Sequence, residues 1–509
     1  MRYYRQDRGE RIDFSPSSPV SEPHRASKRE WKVLMMTRVR ILAAGCCDGA
    51  GFAAAPAELL LEVESTAESR FGRVTLLAAG STSEVASRAR GLALDLASFA
   101  TVEMPQSVIL PALVNAHTHL DLTHIGPRPE LGAGTEAGAG GPFADFAALV
   151  RDRRLADDAD IAASVQRGIE LSIEGGVVAI GDIAGSVAGG TPLTPWRTLA
   201  ASGLQGVSFL EFFAIGPRER ASLERIERTL AVAHDEARAT RGSDRVRIGI
   251  QPHAPYSVSL AGYERANRLA NAIDPRVPLC THIAESGDER ELISRGTGPL
   301  RTFLERVGAW DDSCSREFGQ GRSPVQHLLQ GRELRPVCVH VNDASDPDLE
   351  LMASRGLAVV YCPRSSAYFG APARFGPHRW KDMLARGIDV ALGTDSIINL
   401  PGDAARHGSG AFSTLGEMRH LWRTAARPGP DEAVTLLKMA TLNGAKLLGL
   451  EQSAWRLAGN NPSGGRVIAG LIAVDVSGTV PVRSPAERVL DSTAAPEFLF
   501  ASKKSPMAR

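Results

Sequence analysis

Eight apolar runs of strand length, separated by segments of helical periodicity, constrain this chain more than any other feature. The first covers residues 108–110 and passes through Pro111 to Leu113-Val114. The others are 177–180, 207–210, 246–250, 277–280, 337–339, 357–361 and 388–392. Their apolar residues fall largely on consecutive positions, as in strands buried on both faces of a parallel sheet. The amphipathic stretches 223–237 and 289–307 read as crossover helices, which parallel strands need. Eight units over roughly 300 residues suit an α/β fold, a (β/α)8 TIM-like barrel with long loops. A doubly wound sheet is the rival arrangement of the same units.

The flanks differ in texture. Residues 1–34 are polar, carry Arg, Ser and Pro without apolar periodicity, and read as a disordered N-terminal extension. Short β-type runs at 39–44, 59–63, 74–79 and 102–104 make 35–107 the N-terminal part of a small β domain. Residues 451–509 are expected to complete it and to end in a frayed tail. The expectation is therefore a small β-sandwich built from both chain ends around a barrel domain at 108–450. The Gly-rich segment 132–141 lacks the Gly-Lys-Ser/Thr ending of a phosphate loop and reads as a flexible loop after the first strand.

Composition narrows the function. Fifty-eight Lys+Arg balance 58 Asp+Glu, which argues against a nucleic-acid partner or a polybasic membrane-surface protein. No apolar run approaches the ~18–20 residues of a membrane-spanning helix. The six cysteines, Cys46, Cys47, Cys280, Cys314, Cys338 and Cys362, form no paired framework and read as free thiols in a reducing cytoplasm.

The sharpest local motif is Asn115-Ala116-His117-Thr118-His119-Leu120 at the end of the first barrel strand. Residues i and i+2 of an extended chain face one side, so His117 and His119 project together into the barrel mouth. Two neutral imidazoles on one face suit a divalent transition metal. Other strands end in His253, His282, His340 and Asp395, with Glu285 three residues beyond His282. Barrel enzymes gather their sites from such ends, and a packing role alone would favour apolar residues there. Cys280 and Cys338 each precede a site histidine by two residues and read as core thiols one layer lower. His124 reads as a plain loop residue, while His234, His327, His378, His407 and His420 fall in helical or loop stretches without a site role.

Five motifs in order, His117-Thr118-His119, His253-Ala254-Pro255-Tyr256-Ser257, His282-Ile283-Ala284-Glu285, His340 and Gly393-Thr394-Asp395-Ser396, resemble the amidohydrolase superfamily. More narrowly, the chain resembles its branch of cytosine and guanine deaminases, triazine chlorohydrolases, and S-adenosylhomocysteine, methylthioadenosine and aminodeoxyfutalosine deaminases. The stretch Tyr361-Cys362-Pro363-Arg364-Ser365-Ser366 is similar to the Cys-Pro segment of that branch, with Ser366 where relatives carry Asn. The resemblance implies that His117, His119, His282 and Asp395 bind one divalent metal, zinc first and iron second. It implies catalytic roles for Glu285 as proton shuttle, for Asp395, and for His340 in orienting water or polarising the departing group. His253, Arg364 and Ser396 become the candidate substrate contacts.

The chain has no lysine between Lys32 and Lys381, so the carbamylated lysine that bridges two metals in many members has no counterpart. Glu211 is expected on the pocket wall or in a salt bridge. The implied reaction is metal-assisted hydrolysis of a carbon–nitrogen bond, deamination of a purine nucleoside-like or other heterocyclic ring. Hydrolysis of a cyclic amide or halogenated heterocycle, or an inactive barrel scaffold, are the alternatives. The expected partner is a small heterocyclic molecule, with self-association left open.

Overall fold

The computed structural model describes residues 37–64, 70–132, 142–187, 190–239, 245–274, 277–400, 410, 412–426, 428–458 and 464–500. The expected extension at 1–34, nearly all of the Gly-rich segment and the tail beyond 500 lie outside the described residues.

The first five strands are β1 (Thr37–Cys47), β2 (Ala53–Ala54), β3 (Ala57–Glu64), β4 (Arg73–Gly80) and β5 (Ala100–Pro111). Eight more follow: β6 (Leu113–Thr118), β7 (Val177–Ala184), β8 (Gln205–Phe212), β9 (Val246–Pro252), β10 (Cys280–Ile283), β11 (Val337–His340), β12 (Ala358–Tyr361) and β13 (Asp389–Leu392). The last three are β14 (Arg466–Ile468), β15 (Leu471–Asp475) and β16 (Pro496–Leu499).

Strands β6 to β9 and β10 to β13 form two parallel sheets in sequential order. Parallel bridges join them at both seams, Ile250 to Leu279 and Thr118 to Asp395. The eight strands therefore make a TIM-like barrel, and their sequential order excludes the doubly wound rival. Each strand connection contains at least one helix. Ile161, Val165 and Ile169 of the helix Asp158–Glu174 join the strands in one continuous hydrophobic cluster. The amphipathic stretch 289–307 is two helices, Gly287–Arg295 and Pro299–Arg306. Gly296, at φ 69°, caps the first and Pro299 opens the second, so one uninterrupted periodicity overstated a single helix.

The remaining strands form one mixed sheet ordered β14-β4-β3-β1-β5-β15-β16, with β2 beside β1. Residues 108–110 belong to this sheet, not to the first barrel strand: Val108 and Ile109 pair with Gly45 and Cys46 of β1, and Leu110 pairs with Ile472 of β15. The chain crosses from one sheet to the other at Ala112. Alternation then divides the side chains. Val108, Leu110, Ile472 and Val474 join the barrel core, while Ile109, Leu471 and Ala473 join a second cluster with Ile41, Leu59 and Leu61.

The seam between β6 and β13 is polar and fully buried. Asn115 Nδ2 donates to Thr394 Oγ1 at 2.8 Å, and the Thr394 N–H donates to Asn115 Oδ1 at 3.1 Å. On the other side of β6, Gly181 of β7 admits the Ala116 carbonyl, which would lie 2.2 Å from any Cβ placed there. Replacing Asn115 by Ala removes two buried hydrogen bonds, while the Thr394 N–H keeps the His117 carbonyl and its hydroxyl keeps Thr118. We expect it to lower the unfolding free energy by about 1–3 kcal/mol in urea denaturation; a change under about 0.5 kcal/mol would show that the seam does not depend on this pair.

Candidate active site

The seams and registers carry the sequence-predicted residues to one end of the barrel. His117 lies in β6 and His119 directly follows it; His282 and His340 lie in β10 and β11; His253 and Asp395 lie just past β9 and β13. His117 Nε2 sits 3.3 Å from His282 Nε2 and 3.4 Å from Asp395 Oδ1. His119 Nε2 is also 3.4 Å from Asp395 Oδ1. The donor atoms of His117, His282, His340 and Asp395 all lie within 4.8 Å of one another. His340 thus stands among the possible ligands as well as beside Glu285.

These spacings test whether a metal fits. A tetrahedral ion with bonds of ~2.0–2.1 Å sets its donor atoms about 3.3–3.4 Å apart, which is the spacing found here. His282 Nδ1 is 3.0 Å from the His253 carbonyl, an acceptor only, so Nδ1 carries the proton and Nε2 keeps a bare lone pair. Burial first, then the neighbouring histidines, holds His119 and His282 well below the ordinary imidazole range. Neutral imidazoles facing each other and a carboxylate repel unless a cation stands among them. The Nδ1 atoms of His117, His119 and His340 are buried without a hydrogen-bond partner among the described residues. The donor set fits one divalent metal ion.

The backbone at the site is strained. Six described non-glycine residues have φ between 52° and 74°, and four of them are Ala284, His340, Val341 and Asp395. Such conformations cost about 1–3 kcal/mol each and persist where the surroundings over-determine them. For Asp395 those surroundings are explicit. The Ser365 hydroxyl donates to Asp395 Oδ2 at 2.7 Å and Asn399 Nδ2 donates to the same oxygen at 2.5 Å, which leaves Oδ1 directed at the imidazoles. His378, read from sequence as a residue without a site role, is half-buried and stacks on Tyr361 with ring centroids 3.6 Å apart. Its Nε2 donates to the His340 carbonyl at 2.9 Å, so it braces that strained residue.

Glu285 Oε1 lies 3.4 Å from His340 Nε2. Burial first, and then the charges of Asp395 and Glu289, push the Glu285 carboxyl well above the usual carboxylate range. His253 packs against the edge of the cluster, its ring 5.0 Å from that of His282 and 4.5 Å from the exposed Phe213. Burial and the charge of Arg154 bring its pKa down to about 3, so it is a neutral hydrogen-bonding group. Glu211 is buried in an ion pair with Arg154, Nη2 to Oε2 at 2.9 Å, and Arg154 also pairs with Asp121.

Two expected substrate contacts carry structural duties. The Arg364 guanidinium is spent on Glu417, Nε to Oε1 at 2.5 Å, and on the Gly410 carbonyl at 3.1 Å, an arrangement at odds with presenting it to a ligand. Ser396 is buried beside Asp395, and its Oγ caps the turn Ile397–Asn399 by accepting the Ile398 N–H at 3.1 Å. Ser365, Asn399, Asn115 and His378 were missed as functional residues. Asn399, four residues after Asp395, and Ser365, inside the Cys-Pro segment, carried a positional signal; His378 carried none.

The amidohydrolase family model matches residues 108–457. The chain belongs to the amidohydrolase family. Among curated relatives, this amidohydrolase is 30% identical over 316 residues to an aminodeoxyfutalosine deaminase of Deinococcus radiodurans, covering 58% of this chain and 66% of that enzyme. A 5-methylthioadenosine/S-adenosylhomocysteine deaminase of Syntrophobacter fumaroxidans is 28% identical over 414 residues, covering 78% and 79%. The solved Helicobacter pylori aminofutalosine deaminase in complex with methylthio-coformycin superposes with a TM-score of 0.64 at 19% identity, covering 90% of this chain and 97% of that one. That likeness establishes the shared barrel fold.

Replacing His282 by Asn should lower bound divalent metal from about one per chain to below about one fifth of that, with the fold retained by circular dichroism. Elemental analysis of the purified protein measures it, and an unchanged metal content would remove His282 from the ligand set.

Proposed function

We propose that this amidohydrolase is a hydrolytic deaminase of an aminated purine nucleoside-like or related heterocyclic ring. The reading is supported by the deaminase names of its relatives and carried by one observation. A buried carboxyl pushed well above the usual carboxylate range, Glu285, stands beside His340, next to a cluster whose other carboxylate, Asp395, is held by hydrogen-bond donors. Two carboxyl groups in unlike environments are what divided acid and base work requires.

His117, His119, His282 and Asp395 would hold the metal, and we assign zinc to it because three imidazoles and one carboxylate at tetrahedral spacing suit that ion. Bound there, the ion would lower the pKa of a coordinated water from ~16 towards ~7. The chain's own groups do the rest. Asp395 takes a proton from the attacking water as its oxygen bonds to the ring carbon that bears the amino group. Glu285 gives its proton to the adjacent ring nitrogen, which makes that carbon electrophilic. His340 steadies the oxygen and the departing group. The carbon–nitrogen bond breaks when the amino group collects the proton held at Asp395 and leaves as ammonia, while the new hydroxyl gives its proton to Glu285, which restores that acid and leaves the keto oxygen. An amidine edge and water thus become a keto ring and ammonia. His253 is the substrate contact the packing favours.

Two further readings accompany this one. The mixed sheet is read as a small β-sandwich formed by both chain ends, a reading supported by the enclosed cluster of Ile41, Leu59, Leu61, Ile109 and Leu471. A cytoplasmic location is supported by six buried, unpaired cysteines. Among the described residues no helix is long and apolar enough to cross a membrane.

Ammonia release from metal-loaded protein, screened against aminated purine nucleosides, pterins and pyrimidines, tests the activity. Chloride release from a halogenated triazine, or opening of a cyclic amide without ammonia, would contradict it. Within the active reaction, Glu285→Gln should retain the metal and lose at least ~100-fold in turnover. Near-normal turnover in a metal-loaded Gln variant would refute the assignment of Glu285.

A further inference from the structure

Past Ile283 the chain leaves β10 and turns through Ala284, held at φ 53°, before presenting Glu285. The N–H and carbonyl groups of Ala284 and Glu285 are all tied. On the carbonyl side, the Asp343 N–H donates to Ala284 O at 3.1 Å and Asn342 Nδ2 donates to Glu285 O at 3.0 Å. On the N–H side a single side chain does the work. Glu289 Oε1 accepts the Ala284 N–H at 3.1 Å, and Glu289 Oε2 accepts the Glu285 N–H at 2.8 Å.

Glu289 is fully buried, and its own N–H donates to the Ser286 hydroxyl at 3.2 Å, which caps the helix Gly287–Arg295. A glutamate three residues past an N-cap commonly reaches back to the N-cap N–H. This one reaches further, to the two residues that aim the acid. No ion pair neutralises it among the described residues; nearby Arg290 is engaged by Asp343. Burial raises its pKa to about 7 against the opposing pull of the N–H groups of Glu285 and Ala284. A buried carboxyl without a cationic partner is costly to the fold, so a helix cap alone gives a poor reason for a charged group here.

We infer that Glu289 is a positioning residue for Glu285, a carboxylate clamp on the 284–285 backbone that sets the Glu285 carboxyl beside His340. The inference rests on the reading of Glu285 as proton donor, and Glu289 itself touches neither substrate nor metal ligand in the arrangement described. A hydrogen-bonded backbone clamp holds a reacting group to within fractions of an ångström, and a shift near 1 Å can cost ~100-fold in rate.

Amide hydrogen exchange on the full chain reads the clamp without reference to activity. Glu289→Ala should speed exchange at Ala284 and Glu285 by about tenfold or more, the effect of losing ~1.4 kcal/mol at each hydrogen bond, and leave the β10 amides protected. In the deamination assay the same variant should keep its metal and KM within about threefold and lose about 30-fold or more in kcat. Glu289→Gln retains one acceptor oxygen and should recover part of both losses. Should the Ala variant not fold, Gln alone decides, with exchange at the two amides faster than in the parent protein. Unchanged exchange at 284 and 285, or a KM rise at constant kcat, would overturn the clamp. A parent protein that releases no ammonia from any ring would refute the deaminase reading instead, and the exchange measurement would still decide the clamp.

Discussion

Closure of the barrel between β6 and β13 is the interaction on which the site depends. The N–H groups of Thr394 and Asp395 both donate to the His117 carbonyl, at 3.0 and 3.1 Å, and the His119 N–H returns a bond to Asp395 O at 3.2 Å. Thr118 Oγ1 donates to that same carbonyl at 2.9 Å. These bonds fix backbone that carries donor groups from the two ends of the barrel sequence. Were the seam open, the carboxylate would stand at one sheet edge and the paired histidines at another. The left-handed conformation of Asp395 is the local strain this closure imposes.

Around that seam the protein arranges two carboxyl groups in opposite electrostatic circumstances. Asp395 receives hydrogen bonds from Ser365 and Asn399, which favour its ionised form. Glu285 is buried, and the charges of Asp395 and Glu289 weigh against its ionisation. Placing both beside one cation site gives an acceptor and a donor of protons within the same small volume. Burial holds His119 and His282 well below the ordinary imidazole range, which keeps their lone pairs available for coordination.

Much of this was legible in the sequence because strand periodicity and strand-end chemistry are local signals. The apolar runs located all eight barrel strands, and the histidines at their ends pointed to a common mouth. What was not legible depended largely on partners distant in sequence. Residues 108–110 and 113–114 form one apolar string, and nothing in it tells that Ala112 is a crossing between sheets. Arg364 sits in a motif and carries charge, yet its partner Glu417 lies on a helix more than fifty positions away. Ser365, His378 and Glu289 act through bonds to Asp395, the His340 carbonyl and the Glu285 N–H, and residue type alone does not announce such bonds. The break in the helix at 289–307 was written in Gly296 and Pro299 and was overridden by a strong apolar periodicity.

The most direct test of the account is a crystal structure of the metal-loaded protein, with anomalous scattering recorded across the zinc edge. The account predicts one strong anomalous peak, ~2.0–2.2 Å from the Nε2 atoms of His117, His119 and His282 and from a carboxylate oxygen of Asp395. A peak held instead by Glu211 and His253, or no peak within bonding distance of the His117 and Asp395 side chains, would contradict it.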